Sequence, residues 1–306
     1  MGHQPETVFL INARAGTVIK QGEAALRTLI DDNFGAQPHK IIFCEPDHME
    51  ENVSEIHQKN PEARIVIGGG DGTLMHLAPF FINHDIAMGV LPLGTMNFYA
   101  KDIGLSPDLA QAVSQSRNLK PRVIDVGCLG EHIFLYCVSI GLIPEASKVR
   151  EEMRDAPLIV TRMVMIKTLF QELKNLRHRS LKLIPDKGGK PHKCKAVVIS
   201  NNSLKGDGLG FSDGFKHTDL SDGVLEANMT SPLKVTSFLR ICFSILIGKW
   251  KAHPLIRTLS CQRFSLHSPH DKLLVAVDGE TMTLSTPLSF TIRPKALKIW
   301  GPSYPI

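Results

Sequence analysis

Apolar positions in the first third of the chain fall into short runs separated by longer stretches of helical spacing. Thr7 to Ile11, Lys40 to Cys44, Arg64 to Ile67 and Ala87 to Leu91 are rich in Ile, Val, Leu and Phe and end in turn residues, the pattern of buried strands. Between them, Glu23 to Asp32, Met49 to Lys59 and Thr73 to Phe81 carry apolar residues at helical intervals. Strands alternating with helices predict an open, mostly parallel α/β sheet with right-handed crossovers. In such sheets ligands collect beyond the carboxyl ends of the strands, so the loops that follow each strand are where chemistry is expected.

From about Pro121 the pattern changes. Strand-like runs follow one another at Arg122 to Cys128, Ile133 to Val138, Leu181 to Ile184, Lys195 to Ser200, Gly223 to Met229, Arg263 to His267, Leu273 to Val277, Leu288 to Ile292 and Leu297 to Trp300. Consecutive short strands predict an antiparallel sandwich or barrel. Two helices interrupt it, one over Leu158 to Leu176 and one opening at Ser231-Pro232 and stopping near Gly248. The fold class is therefore α/β plus all-β, an open α/β domain over 1–121 followed by an antiparallel β-sandwich over 122–286. The final strands, near 287–306, are candidates to return to the first domain.

Composition narrows the class. A chain of 306 residues that is 43% hydrophobic and 21% charged can bury a large core, which excludes disordered and fibrous readings. Six cysteines with no C-x-x-C pair and no secretory signal suggest free thiols in a reducing cytosol. The most apolar stretch, Ile241 to Gly248, is far shorter than a spanning helix needs, so no transmembrane span is expected. The net charge is only +5, yet 148–195 holds 13 Lys or Arg against 5 Asp or Glu. That segment is either an ordinary solvated face or a surface that meets anionic lipid head groups or phosphates. Aromatics are not interleaved with it, which argues against single-stranded nucleic acid.

The sharpest chemical signal is Gly68-Gly69-Gly70-Asp71-Gly72-Thr73, directly after a strand and directly before a helix. Glycines there let backbone amides approach a phosphate, and the helix N-terminus adds its positive dipole end. The alternative is a tight strand-to-helix turn. An acidic residue would repel bare phosphate, so Asp71 orders the loop, accepts from a sugar hydroxyl or faces a metal. Pro92-Leu93-Gly94-Thr95-Met96-Asn97 repeats the strand, turn and helix design, and the first strand ends in Asn12-Ala13-Arg14-Ala15-Gly16. Three such loops at one sheet edge argue for a nucleotide cleft. Further on, Ser221-Asp222-Gly223 precedes a strand and Asp278-Gly279-Glu280 lies between strands, where Asp-Gly is first of all a hairpin turn. Carboxylates at i and i+2, as at Asp278 and Glu280, can also bracket a reacting hydroxyl.

In this order and spacing, Gly-Gly-Asp-Gly-Thr at 69–73, Pro-Leu-Gly-Thr at 92–95, Ser-Asp-Gly-Val-Leu-Glu at 221–226 and Asp-Gly-Glu at 278–280 resemble the diacylglycerol kinase catalytic-domain family, in its bacterial soluble lipid kinase branch. The resemblance implies an N-terminal nucleotide-binding domain like those of phosphofructokinase and NAD kinase, a C-terminal β-sandwich, and transfer of the ATP γ-phosphate to a lipid hydroxyl. It puts ATP on Gly69, Gly70, Asp71, Gly72, Thr73 and Thr95, with Asn12 and Asn97 nearby. It makes Glu280 the proton acceptor with Asp278 beside it. It places a structural Mg²⁺ on Asp222 and the carbonyls of Asp219 and Val224, with Asp125 reaching a catalytic metal through water. The implied partner is a lipid at the membrane surface, met peripherally from the cytoplasm through segment 148–195, and a dimer is among the open oligomeric states.

The chain departs from the family pattern at Phe98, where an acidic residue is common, and at Met75 and His76, where Asn-Glu is usual. These mark a divergent subgroup and keep two rivals open, a kinase of a soluble substrate and a nucleotide- or lipid-binding regulator. The helix Pro232 to Ile247 is read as a core helix in preference to a lip dipping into the bilayer.

Overall fold

A computed structural model describes residues 5–141, 144, 180–186, 188–206, 216–230, 235–246 and 249–302. The helix expected at Leu158 to Leu176 and most of the basic segment 148–195 lie outside the described residues. The chain divides into two compact units, Met1–Ile124 with Lys295–Ile306, and Asp125–Pro294.

The first unit is built on a parallel sheet of β1 (Thr7–Asn12), β2 (His39–Cys44), β3 (Arg64–Gly69) and β4 (Gly89–Pro92), in the order β2-β1-β3-β4. All three pairings are parallel, as continuous apolar runs joined by helices require. The connections are α1 (Gly16–Gln21), α2 (Glu23–Phe34), α3 (Met49–Lys59) and α4 (Asp71–Asn83), with α5 (Phe98–Asp102) and α6 (Leu109–Ser116) following β4. One core cluster joins Phe9 and Ile11 of β1 to Leu26, Ile30 and Phe34 of α2 and Val113 of α6. Within it the Phe9 and Phe34 rings meet edge to face at 5.0 Å.

Two six-stranded sheets follow. One runs β12 (Ile256–Cys261), β11 (Leu225–Thr230), β10 (Ala196–Asn201), β7 (Cys137–Ile140), β14 (Lys272–Val277), β15 (Glu280–Ser285). The other runs β6 (His132–Phe134), β5 (Lys120–Leu129), β16 (Leu288–Gly301), β13 (Arg263–His267), β8 (Leu181–Pro185), β9 (His192–Cys194). The β10–β11 and β13–β16 pairs, like their neighbours, are antiparallel. In β13, buried Phe264 and Leu266 alternate with exposed Arg263 and His267, the period-two signature of a half-buried strand.

The structure adds three strands that the sequence did not suggest, β9, β12 and β15, and changes the extent of two that it did. Ile133 to Val138 is not one strand but β6 and β7, because the N–H groups of Leu135, Tyr136 and Cys137 all turn to the Asp278 carboxylate. Leu288 to Ile292 and Leu297 to Trp300 are one strand, β16, bent where Lys295 takes a positive φ of 51°. Its far end lies beside β4 within the first unit, with Met88 N–H donating to the Lys298 carbonyl and Trp300 N–H to the Met88 carbonyl, each at 2.9 Å. Later in the chain, helix α7 (Val235–Leu246) buries Ile241 and Ser244 and exposes Thr236, Arg240 and Phe243.

Candidate active site

Parallel strands all deliver their carboxyl ends to one edge, so the loops after β1, β3 and β4 meet there. Hydrogen bonds lock the three together. Asn12 Nδ2 donates to Thr73 Oγ1 at 3.0 Å, Leu93 N–H to the Gly69 carbonyl at 3.0 Å, and Thr17 N–H to the Leu93 carbonyl at 3.0 Å. The glycines allow this closeness. A Cβ on Gly94 would stand 2.5 Å from the Gly70 Cα, and one on Gly69 would stand 2.6 Å from the Thr73 Cβ. Packing of the rim alone thus demands glycine at these positions, before any phosphate is considered.

Helix α4 opens this loop toward a ligand. Its N-cap is Gly70, in an extended conformation with no side-chain cap, and the first intrahelical bond is Leu74 N–H to the Gly70 carbonyl. The amides of Asp71, Gly72 and Thr73 therefore precede the helical ladder, in the arrangement that binds anions at helix N-termini. The Asp71 side chain points elsewhere. Its two oxygens accept from the N–H groups of Phe98 at 3.1 Å and Tyr99 at 3.0 Å, so it caps α5 and orders the rim. Burial pushes the Asp71 carboxyl above its ordinary pKa, and the two amides only partly offset that.

The β4 loop is also internally closed. Asn97, at a left-handed φ of 48°, accepts from Gly94 N–H and donates to the Gly94 carbonyl, both at 2.8 Å. Thr95 is exposed at the lip. Gly94, Thr95 and Asn97 border a cavity of about 460 Å³ whose far walls include Thr17, Lys101 and Ser106. The glycine loop 69–73 does not line that cavity, so the rim divides into an amide-lined helix end and an adjoining pocket.

In the second unit the structure separates the two carboxylates of Asp278-Gly279-Glu280. Asp278, at a left-handed φ of 46°, accepts from three consecutive amides, Leu135 at 2.6 Å, Tyr136 at 2.9 Å and Cys137 at 2.7 Å. Its own N–H donates to the Cys137 carbonyl at 2.9 Å. Glu280 is exposed at the start of β15, and no partner is found for it among the described residues. One carboxylate is committed to the backbone and the other is presented to solvent.

Asp125 and Asp222 are brought together by a residue that the motifs did not flag. Asn202 Nδ2 lies 2.7 Å from Asp125 Oδ2 and 2.6 Å from Asp222 Oδ1. Asp125 is fully buried, and its Oδ2 also accepts from Gly223 N–H at 2.7 Å. Asp222 is exposed and accepts from Ser203 N–H at 3.0 Å and Val224 N–H at 3.1 Å. Asp219 accepts from the N–H and hydroxyl of Ser221, both at 2.9 Å. Of the four lone-pair sites on the Asp222 carboxylate three are filled by N–H donors, which leaves one for a cation. A hard, largely hydrated ion such as Mg²⁺ could take that one position and fill the rest of its shell with water, so the exposed carboxylate is compatible with such an ion. Buried Asp125 supports that turn from behind and does not face water. Among the described residues no three His, Cys, Asp or Glu side chains converge as a metal cluster.

Sequence reading also passed over Glu226 and Lys251. Glu226 is buried in β11, with Lys251 Nζ at 2.7 Å and Asn228 Nδ2 at 3.0 Å. The available signal was the motif Ser-Asp-Gly-Val-Leu-Glu itself, whose last residue falls on a strand where an unpaired carboxylate would be costly.

Comparison with known proteins covers both units. Residues 6–129 match the family model described as the diacylglycerol kinase catalytic domain, and residues 137–301 match the YegS C-terminal NAD kinase beta sandwich-like domain. An uncharacterized Synechocystis protein is 23% identical over 272 residues, 84% of this chain and 60% of that protein. A Klebsiella pneumoniae protein named "probable lipid kinase YegS-like" is 32% identical over 111 residues, 36% of each. The chain thus matches less than two thirds of the length of these relatives. The crystal structure of a diacylglycerol kinase from Bacillus anthracis shares the fold, with a TM-score of 0.66 at 15% identity over 97% of both chains. The matched models, the amide-lined rim and the carboxylate turns together make the chain a member of the diacylglycerol kinase catalytic-domain family, with a YegS-type C-terminal domain.

Proposed function

We propose that the protein is an ATP- and Mg²⁺-dependent lipid kinase that transfers the γ-phosphate to a lipid hydroxyl. The observation that carries this reading is the uncapped N-terminus of α4, held by a hydrogen-bonded glycine loop in a chain of this family. The amides of Asp71, Gly72 and Thr73 bind phosphate oxygens as donors fixed in advance, which stabilises charge that spreads during transfer. Asn12 holds the Thr73 hydroxyl, and Thr95 offers an exposed hydroxyl at the mouth of the adjoining pocket.

Glu280 accepts the proton of the attacking hydroxyl, a role that needs an exposed carboxylate free of competing donors. Asp278 acts as a positioning residue, fixing the hairpin that carries Glu280 by gathering three amides. Mg²⁺ bound with ATP would offset phosphate charge, and a second Mg²⁺ would be held by the Asp222 carboxylate with the carbonyls of Asp219 and Val224. Asn202 and Asp125 keep that turn in place. Phosphate transfer to a lipid in detergent micelles, with none to a soluble acceptor such as NAD in detergent-free buffer, supports this function. The reverse preference would replace it with the soluble-substrate reading.

A further inference from the structure

A lipid kinase must reach an acceptor held in a bilayer, and α7 has the features of the element that does so. Positions 236, 240 and 243 recur at helical intervals, and Thr236, Arg240 and Phe243 are all exposed, whereas Ile241, which points away from Phe243, is buried, and Ser244, one turn beyond Arg240, closes the flank between them. A helix that merely caps a core turns its polar stripe outward. Here the outward stripe holds an aromatic ring, 63% exposed, while Ile241 is only 7% exposed. Among the described residues Phe243 is the only aromatic among the exposed large hydrophobic side chains.

The segment of chain that carries it is basic. From 227 to 270 the sequence contains six Lys or Arg and no Asp or Glu. Arg240 lies one turn before Phe243, and Lys249 is exposed just beyond the helix. A ring on the outer stripe with cations around it is the composition of an interfacial anchor, in which the ring enters the head-group boundary and the cations meet anionic lipid. A second copy of the chain would set Arg240 and Lys249 against the same two cations, and an anionic bilayer would not.

We propose that α7 docks the protein on anionic membrane, with Phe243 inserted and Arg240 and Lys249 against lipid phosphates. The proposal rests on the lipid-kinase reading, and its test separates the two. The full chain is mixed with vesicles of phosphatidylcholine alone and with vesicles containing about 30 mol % phosphatidylserine, and the bound fraction is read by sedimentation. Binding is expected only to the anionic vesicles, with weakening as NaCl rises from roughly 0.1 to roughly 0.5 M. Phe243→Gln is expected to lower that binding about tenfold without changing the melting temperature. Phe243→Trp is expected to keep binding and to show a blue-shifted emission with anionic vesicles. Turnover of lipid in detergent micelles is expected to be unchanged in Phe243→Gln, which isolates docking from catalysis. Equal binding by Phe243→Gln and wild type overturns the proposal, as does a wild-type dimer that Phe243→Gln converts to monomer.

Discussion

Asp125 and Asp222 share one amide group: Asn202 Nδ2 donates to an oxygen of each, at 2.7 and 2.6 Å. Asn202 can do this because it sits at a left-handed φ of 72° just after β10, a conformation that Asn tolerates better than most residues. Its own N–H donates to the Val224 carbonyl at 3.0 Å, so it ties the whole 222–224 turn to β5 and β10. Replacing it with Leu removes the donor from a fully buried carboxylate and strains the turn. Asn202→Leu is expected to cost about 2–4 kcal/mol in denaturant unfolding.

The Asp278 carboxylate, with three amides, predicts a contrast with its neighbour Glu280. Asp278→Ala leaves the amides of Leu135, Tyr136 and Cys137 without their acceptor and is expected to cost about 2–4 kcal/mol of stability. Glu280→Gln touches no hydrogen bond found among the described residues and is expected to leave the melting temperature unchanged. If both variants melt alike, the division into a positioning residue and a presented carboxylate is wrong.

Gly94 tests the close approach of two loops. A methyl group there would meet the Gly70 Cα at 2.5 Å, so Gly94→Ala must part the β3 and β4 loops. The expected result is a loss of about 1–3 kcal/mol and at least a roughly tenfold drop in ATP affinity, measured by calorimetry. Gly130→Ala serves as control, since a Cβ there meets nothing within 4 Å, although its φ of 58° carries its own cost.

Asp71 gives a pH dependence with a definite sign. Burial raises its pKa in the folded protein, so the folded state holds the proton more tightly than the unfolded chain does. Between the two pKa values stability therefore falls as pH rises, and the charged form is a burden above the folded value. The stability of the wild type relative to Asp71→Asn is expected to increase as pH is lowered from neutrality toward the ordinary carboxylate range. A difference that stays flat or shrinks over that window would contradict the buried cap.

The strands and loops of the first unit were legible because β1, β3 and β4, buried on both faces, read as continuous apolar runs, β2 kept Ile41, Ile42 and Phe43 in sequence, and each loop began where a run stopped. Three edge strands of the later sheets were not. β9, β12 and β15 each lie at the end of a sheet, and β15 offers only Met282 and Leu284 as apolar residues among Glu, Thr and Ser. Sheet edges favour such polar composition, which erases the periodic signal. At the site, the glycine loop and Asp-Gly-Glu could be read from residue types alone. The division of labour between Asp278 and Glu280 could not, since it depends on amides from a distant β6–β7 connection. Asn202 was hidden for the same reason, as its two carboxylate partners come from separate parts of the chain.

The most direct test of the account is transfer of label from γ-labelled ATP to a panel of diacylglycerol, phosphatidylglycerol, a sphingoid base and a polyprenol in mixed micelles, by wild type and Glu280→Gln. The account predicts a labelled lipid with wild type and a loss of about 10²-fold or more in the variant, with ATP affinity intact. No labelled lipid anywhere in the panel, or equal labelling by Glu280→Gln, would contradict it.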